Sequence, residues 1–140
     1  MDMTPVIFPY IERQHVLFGT ITQPAITLQL YSERFRQWFR LKEILADTGA
    51  DISVFPLLLG RLLVADIERG QPIQLGQKVL FSVTHHAFVH HIQARLGEFT
   101  FVMPVAIAMS AIIPPIFGRK DALDRFSVRF VQGQRLIVEL

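Results

Sequence analysis

The sequence predicts an all-β fold, a closed domain of short strands with one or two short helices. Three observations point there. Period-two alternation of apolar residues dominates the chain, reversal signals fall between the alternating stretches, and no linker, repeat or low-complexity tract interrupts them. At 140 residues the chain is expected to form a single domain over residues 1–140, long enough to bury a proper core.

The elements follow in order. Pro24 opens a strand in which Ile26, Leu28 and Leu30 share one face. Ser32-Glu33 marks a turn. From Arg34 to Lys42 the even positions are mostly basic while Phe35, Phe39 and Leu41 lie on the odd face, the pattern of a half-buried strand. Pro56 can open a helix over Leu57 to Val64, although Gly60 inside it costs about 1 kcal/mol. A reversal at Gly70-Gln71-Pro72 precedes a strand with Phe88, Ile92, Ala94 and Leu96 on one face. After Gly97-Glu98 comes the clearest alternation, through Phe99, Phe101, Met103, Val105, Ile107 and Met109. A second short helix is expected over Arg119 to Phe126, where Leu123 and Phe126 share a face. A strand from Ser127 to Val131, a turn at Gly133 and a last strand near Leu136 to Leu140 complete the chain.

Composition narrows the function classes. Hydrophobic residues make up 51% of the chain, apolar enough to suggest that some surface closes against another subunit. The net charge is +2, and only Arg34, Arg36, Arg40 and Lys42 form a denser basic patch, which argues against a nucleic-acid partner. With no cysteine there is no disulfide framework, thiolate nucleophile or cysteine zinc site. The N-terminal residues lack the pattern of a signal peptide, and prolines interrupt the longest apolar stretch, so a cytoplasmic protein without membrane association is expected. His85-His86 and His90-His91 alternate across a strand, which makes a four-ligand metal site awkward; an exposed strand is the simpler reading. No serine lies in a recognisable nucleophile turn.

The chemistry-bearing segment is Ile44-Leu45-Ala46-Asp47-Thr48-Gly49-Ala50-Asp51. An apolar strand runs into an acid, a small hydroxyl residue and a glycine. Such a strand end would hold the carboxylate partly out of water, the glycine permits close backbone approach, and the hydroxyl can lock the turn. A second segment, Ile112-Ile113-Pro114-Pro115-Ile116-Phe117-Gly118-Arg119-Lys120-Asp121, sets two apolar residues, glycine and arginine before the expected helix.

Together the two segments resemble the retropepsin-like aspartic proteases. These carry Asp-Thr/Ser-Gly-Ala after an apolar strand and, roughly seventy residues later, two apolar residues, Gly and Arg. Ile116 to Phe126 and the run Phe8-Pro9-Tyr10-Ile11-Glu12-Arg13 are similar to the bacterial branch. The resemblance implies a closed acid-protease barrel that works as a two-fold homodimer. It implies an aspartic endopeptidase acting on peptide or protein substrates without a cofactor. Asp47 would be the catalytic acid, one from each subunit, activating a water. Thr48 would bond across the dimer axis, Gly49 would line the cleft, and Ala50 and Gly118 would support the loop. Asp51 and Arg119 would form a partly buried ion pair bracing it. The flap that covers substrate in this family would span Leu75 to Thr84, with Leu75, Gly76, Gln77, Lys78 and Val79 among its residues. Its usual glycine-rich tip is reduced here to Gly76. That departure keeps open the alternative of a weak or inactive peptide-binding or dimerisation module on the same fold.

Overall fold

The computed structural model describes residues 4–76 and 85–140. Its strands, in chain order, are β1 (Val6–Pro9), β2 (Ile11–His15), β3 (Gly19–Gln23), β4 (Ala25–Ser32), β5 (Gln37–Ala46), β6 (Ser53–Phe55), β7 (Gln71–Leu75), β8 (His85–Leu96), β9 (Phe99–Ala108), β10 (Ile116–Phe117), β11 (Ser127–Val131) and β12 (Arg135–Glu139). One α-helix, α1 (Leu57–Leu63), lies between β6 and β7.

Six strands close on themselves in the order β4-β5-β10-β6-β9-β8, with β8 returning to β4 through Gln29↔Arg95 and Leu30↔Ala94. Closure removes the exposed edges that an open sheet would present. Strand β7 is added to the outer side of β8. Beside the barrel lie a three-stranded sheet, β1-β12-β11, and a separate hairpin of β2 and β3. The alternating residues fill the interior as expected: Ile26, Leu28, Leu30, Ile92, Ala94, Leu96, Met103, Val105 and Ile107 are all buried.

Strand β5 departs from simple alternation in a way that bears on function. Leu28 pairs with Leu41 but Ile26 pairs with Ile44, so Lys42 and Glu43 share the space opposite Thr27. Glu43 takes a φ of 60°, the mark of a bulge. One extra residue shifts the inward side from odd to even positions. Half-buried Phe39 and Leu41 precede it, and fully buried Ile44 and Ala46 follow.

Several expectations are corrected. The strand expected from Arg34 begins at Gln37, because residues 33–36 form the turn and Arg36 adopts a φ of 55°. Phe35 is therefore exposed rather than inward. The second helix is reduced to a single 3-10 turn at Leu123–Arg125. Gly60, costly by propensity, is required by packing: a Cβ there would lie 2.2 Å from Ile107 Cγ2, so the glycine lets α1 rest on β9. His90 is not simply exposed. It is half-buried, and its Nε2 lies 2.7 Å from the carbonyl oxygen of Ile67, anchoring the turn that leads into β7.

Candidate active site

Strand β10 is wedged between β5 and β6, parallel to the first and antiparallel to the second. The segment joining β5 to β6 must therefore pass over the end of β10. That segment is Asp47 to Ile52, and the crossing shapes the site.

The backbone holds the crossing from beneath. Leu45 donates its N–H to Pro115 and Asp47 donates its N–H to Phe117, each at 3.0 Å, which carries the ladder through the acid itself. Arg119 donates its N–H back to the Ala50 carbonyl at 3.0 Å, and Lys120 donates to Asp51 at 2.8 Å. Gly118 lies directly under the crossing. A Cβ there would come within 2.5 Å of the Ile52 backbone and 2.9 Å of the Ala50 oxygen. Only glycine fits, which is the steric content of the Gly-Arg pair. The buried Gly118 N–H is satisfied by the hydroxyl of Ser53, itself fully buried, at 3.0 Å.

Above this floor the Asp47 carboxylate is exposed in the single chain, so the apolar strand end does not shield it as expected. Its Oδ1 accepts the Gly49 N–H at 2.9 Å, and the Asp47 carbonyl accepts the Ala50 N–H at 3.2 Å, closing a tight turn. A Cβ on residue 49 would lie 3.2 Å from that same Oδ1, so a larger residue would press on the carboxylate. Thr48 is exposed beside it. The turn thus presents an oriented acid to whatever adjoins this face.

Asp51 and Arg119 meet, with Arg119 Nη2 2.5 Å from Asp51 Oδ1. In the single chain the pair is not partly buried as expected: the side chains are 89% and 47% exposed respectively. Water screening then limits it to at most about 1 kcal/mol, against the several expected for breaking a buried pair. Asp51, Ile52 and Arg119 also border a cavity of about 400 Å3, whose far side includes Ile73 of β7. Leu75, like Ile52 and Ile116, packs against a small buried cluster of Val54, Ala87, Ala106 and Ala108, and Gly76 is exposed. Gln77, Lys78 and Val79, and the rest of the expected flap to Thr84, lie outside the described residues.

Residues from both sequence segments are therefore brought together: Asp47, Thr48, Gly49, Ala50 and Asp51 from one, Gly118 and Arg119 from the other. Ser53 and Ile73 were missed. Ser53 carried one legible signal, as the lone polar residue between Ile52 and the apolar pair Val54-Phe55. Ile73, in a short and largely exposed strand, carried none. Among the described residues no group of His, Asp or Glu is placed to hold a metal ion, and no helix is long and apolar enough to cross a membrane.

No family model and no curated protein matches the sequence. Solved structures do match the fold. A retropepsin-like aspartic protease from Rickettsia conorii superposes with a TM-score of 0.62 over 97% of this chain and 99% of its own, at 13% identity. The EIAV protease, in complex with an inhibitor, aligns over 76% of this chain and 88% of its own at 19% identity, with a TM-score of 0.46. The chain has a retropepsin-like fold.

Proposed function

We propose that the chain is one half of an aspartic endopeptidase whose active site forms where two copies meet on a two-fold axis. The observation that carries this reading is the exposed, oriented Asp47 carboxylate in a chain that contains a single Asp-Thr-Gly run. Peptide hydrolysis by this chemistry needs two carboxylates, and a closed two-fold dimer supplies the second from an identical surface.

Placed against each other, two like charges cannot both ionise freely, so the pair holds one proton between them. The ionised member takes a proton from a water lodged between the carboxylates, and that water attacks the peptide carbonyl. The protonated member polarises the carbonyl and then passes its proton to the leaving nitrogen. Contact with a second subunit and a peptide would also withdraw Asp47 from water, which the single chain does not do. In this reading the exposed Thr48 beside it bonds across the axis. The substrate is an extended peptide or protein segment, and the reaction calls for no metal or organic cofactor.

The test is a subunit-mixing experiment. Asp47→Asn removes the acid with little change in size, so folding and association should persist while activity is lost. Mixed with wild type and allowed to exchange, it should lower peptide cleavage as the square of the wild-type fraction, leaving about one quarter of the activity at equal amounts. A linear fall would mean that each chain works alone. Full activity in the pure variant would end the proposal.

A further inference from the structure

On the flank of the barrel, Gln29 of β4 is registered opposite Arg40 of β5 on one side and Arg95 of β8 on the other. Residues opposed in antiparallel strands point to the same side of a sheet, so the three side chains stand in a row across three strands. Both guanidiniums line a cavity of about 220 Å3, with Val6 and Phe8 of β1 as its apolar wall. Among the described residues no carboxylate forms an ion pair with either arginine. Two cationic residues thus border one small hollow without an ion-pair partner among the described residues, an arrangement that an anion would relieve.

Arg95 is also held in place before any ligand arrives. Its Nε donates to Thr100 Oγ1 at 3.1 Å, its Nη1 donates to Gln29 Oε1 at 3.3 Å, and its guanidinium lies 4.3 Å from the Trp38 ring centroid. Tyr31 in turn packs edge-on against Trp38, with centroids 5.5 Å apart. A planar fork fixed by two hydrogen bonds and a stacked ring loses little freedom on binding and presents its remaining N–H groups in one direction. The chemistry that matches a fixed guanidinium, a second exposed one and an apolar wall is a carboxylate carried on an apolar group.

We propose that this cavity binds such a carboxylate, either a free aliphatic acid or the C-terminus of a peptide ending in an apolar residue. Arg95 is the fixed anchor and Arg40 closes over the anion. The test titrates the full chain with hexanoate, N-acetylleucine and the uncharged N-acetylleucinamide, read by calorimetry and by the Trp38 indole N–H resonance. At least one acid should bind saturably and shift Trp38, with the amide at least about tenfold weaker. Hexanoate binding more tightly would identify a free acid, and N-acetylleucine binding more tightly a peptide end. Arg95→Gln should weaken binding at least about tenfold. If that variant does not fold, exposed Arg40→Gln decides, with an expected loss of several-fold. Equal affinity for acid and amide, unchanged affinity in the folded variants, or inorganic phosphate bound as tightly as the acids would overturn the proposal.

Discussion

Two exposed turns of this molecule are built in opposite ways. The turn from Asp47 to Ile52 lies over β10, with backbone hydrogen bonds reaching it from Phe117, Arg119 and Lys120. The turn joining β2 to β3 projects from a ribbon that pairs only with itself as a sheet, and its residues Val16, Leu17 and Phe18 are 98%, 78% and 73% exposed. That second turn is organised locally: His15 Nδ1 accepts the Leu17 N–H at 3.0 Å, and its ring stacks on Phe18. Exposure alone therefore says little about order. A side chain can reach solvent from a rigid floor or from a free-standing ribbon, and only the first arrangement fixes where a carboxylate points.

Substitutions in the two turns should separate these cases. The largest effect is expected at Gly118. Gly118→Ala would drive a methyl into the Ile52 backbone, and neither strand can move without breaking the barrel, so a loss of about 3 kcal/mol in urea unfolding is expected. A smaller loss, of about 1–2 kcal/mol, should follow Ser53→Ala, which leaves the buried Gly118 N–H without an acceptor. If Ser53→Ala unfolds at the same urea midpoint as wild type, the floor is not the source of the loop's rigidity. Smallest of all is Leu17→Ser at the ribbon tip. It should change stability by no more than about 0.5 kcal/mol, since almost nothing packs against that side chain. A larger loss at Leu17 would erase the contrast between the two turns.

The strands inside the barrel were legible because each buries one face, and period two follows directly from that. Ile26 to Leu30 shows it plainly, whereas β9 alternates only as far as Met103 and is buried on both faces from there to Ala108. The elements outside were harder. Strands β1, β2 and β3 have mostly exposed or half-exposed side chains, so their alternation carries little apolar contrast. The bulge at Glu43 was hidden for another reason: a positive φ on a glutamate leaves no trace in residue type. At the site, the pairing of the Asp47 and Gly118 segments was readable from their motifs, as was the contact between Asp51 and Arg119. The exposure of that contact was not, because burial depends on what surrounds a pair and not on the two residues that form it. Ser53 shows the same limit, since a hydroxyl four residues past the glycine of Asp-Thr-Gly-Ala could satisfy any neighbour until β10 is in place.

The wedge of β10 between β5 and β6 has a consequence in time as well as in space. Asp47 bonds Phe117, and Asp51 meets Arg119 across a separation of 68 residues. Contacts of such long span pay the entropy of closing the intervening chain before they return anything. The strands on either side can pair early, but the floor under Asp47 is laid only when Ile116 to Arg119 arrives. A chain caught partway through folding would carry the Asp-Thr-Gly run on an unsupported loop. The oriented acid is thus a late product of folding, present only once the barrel has shut.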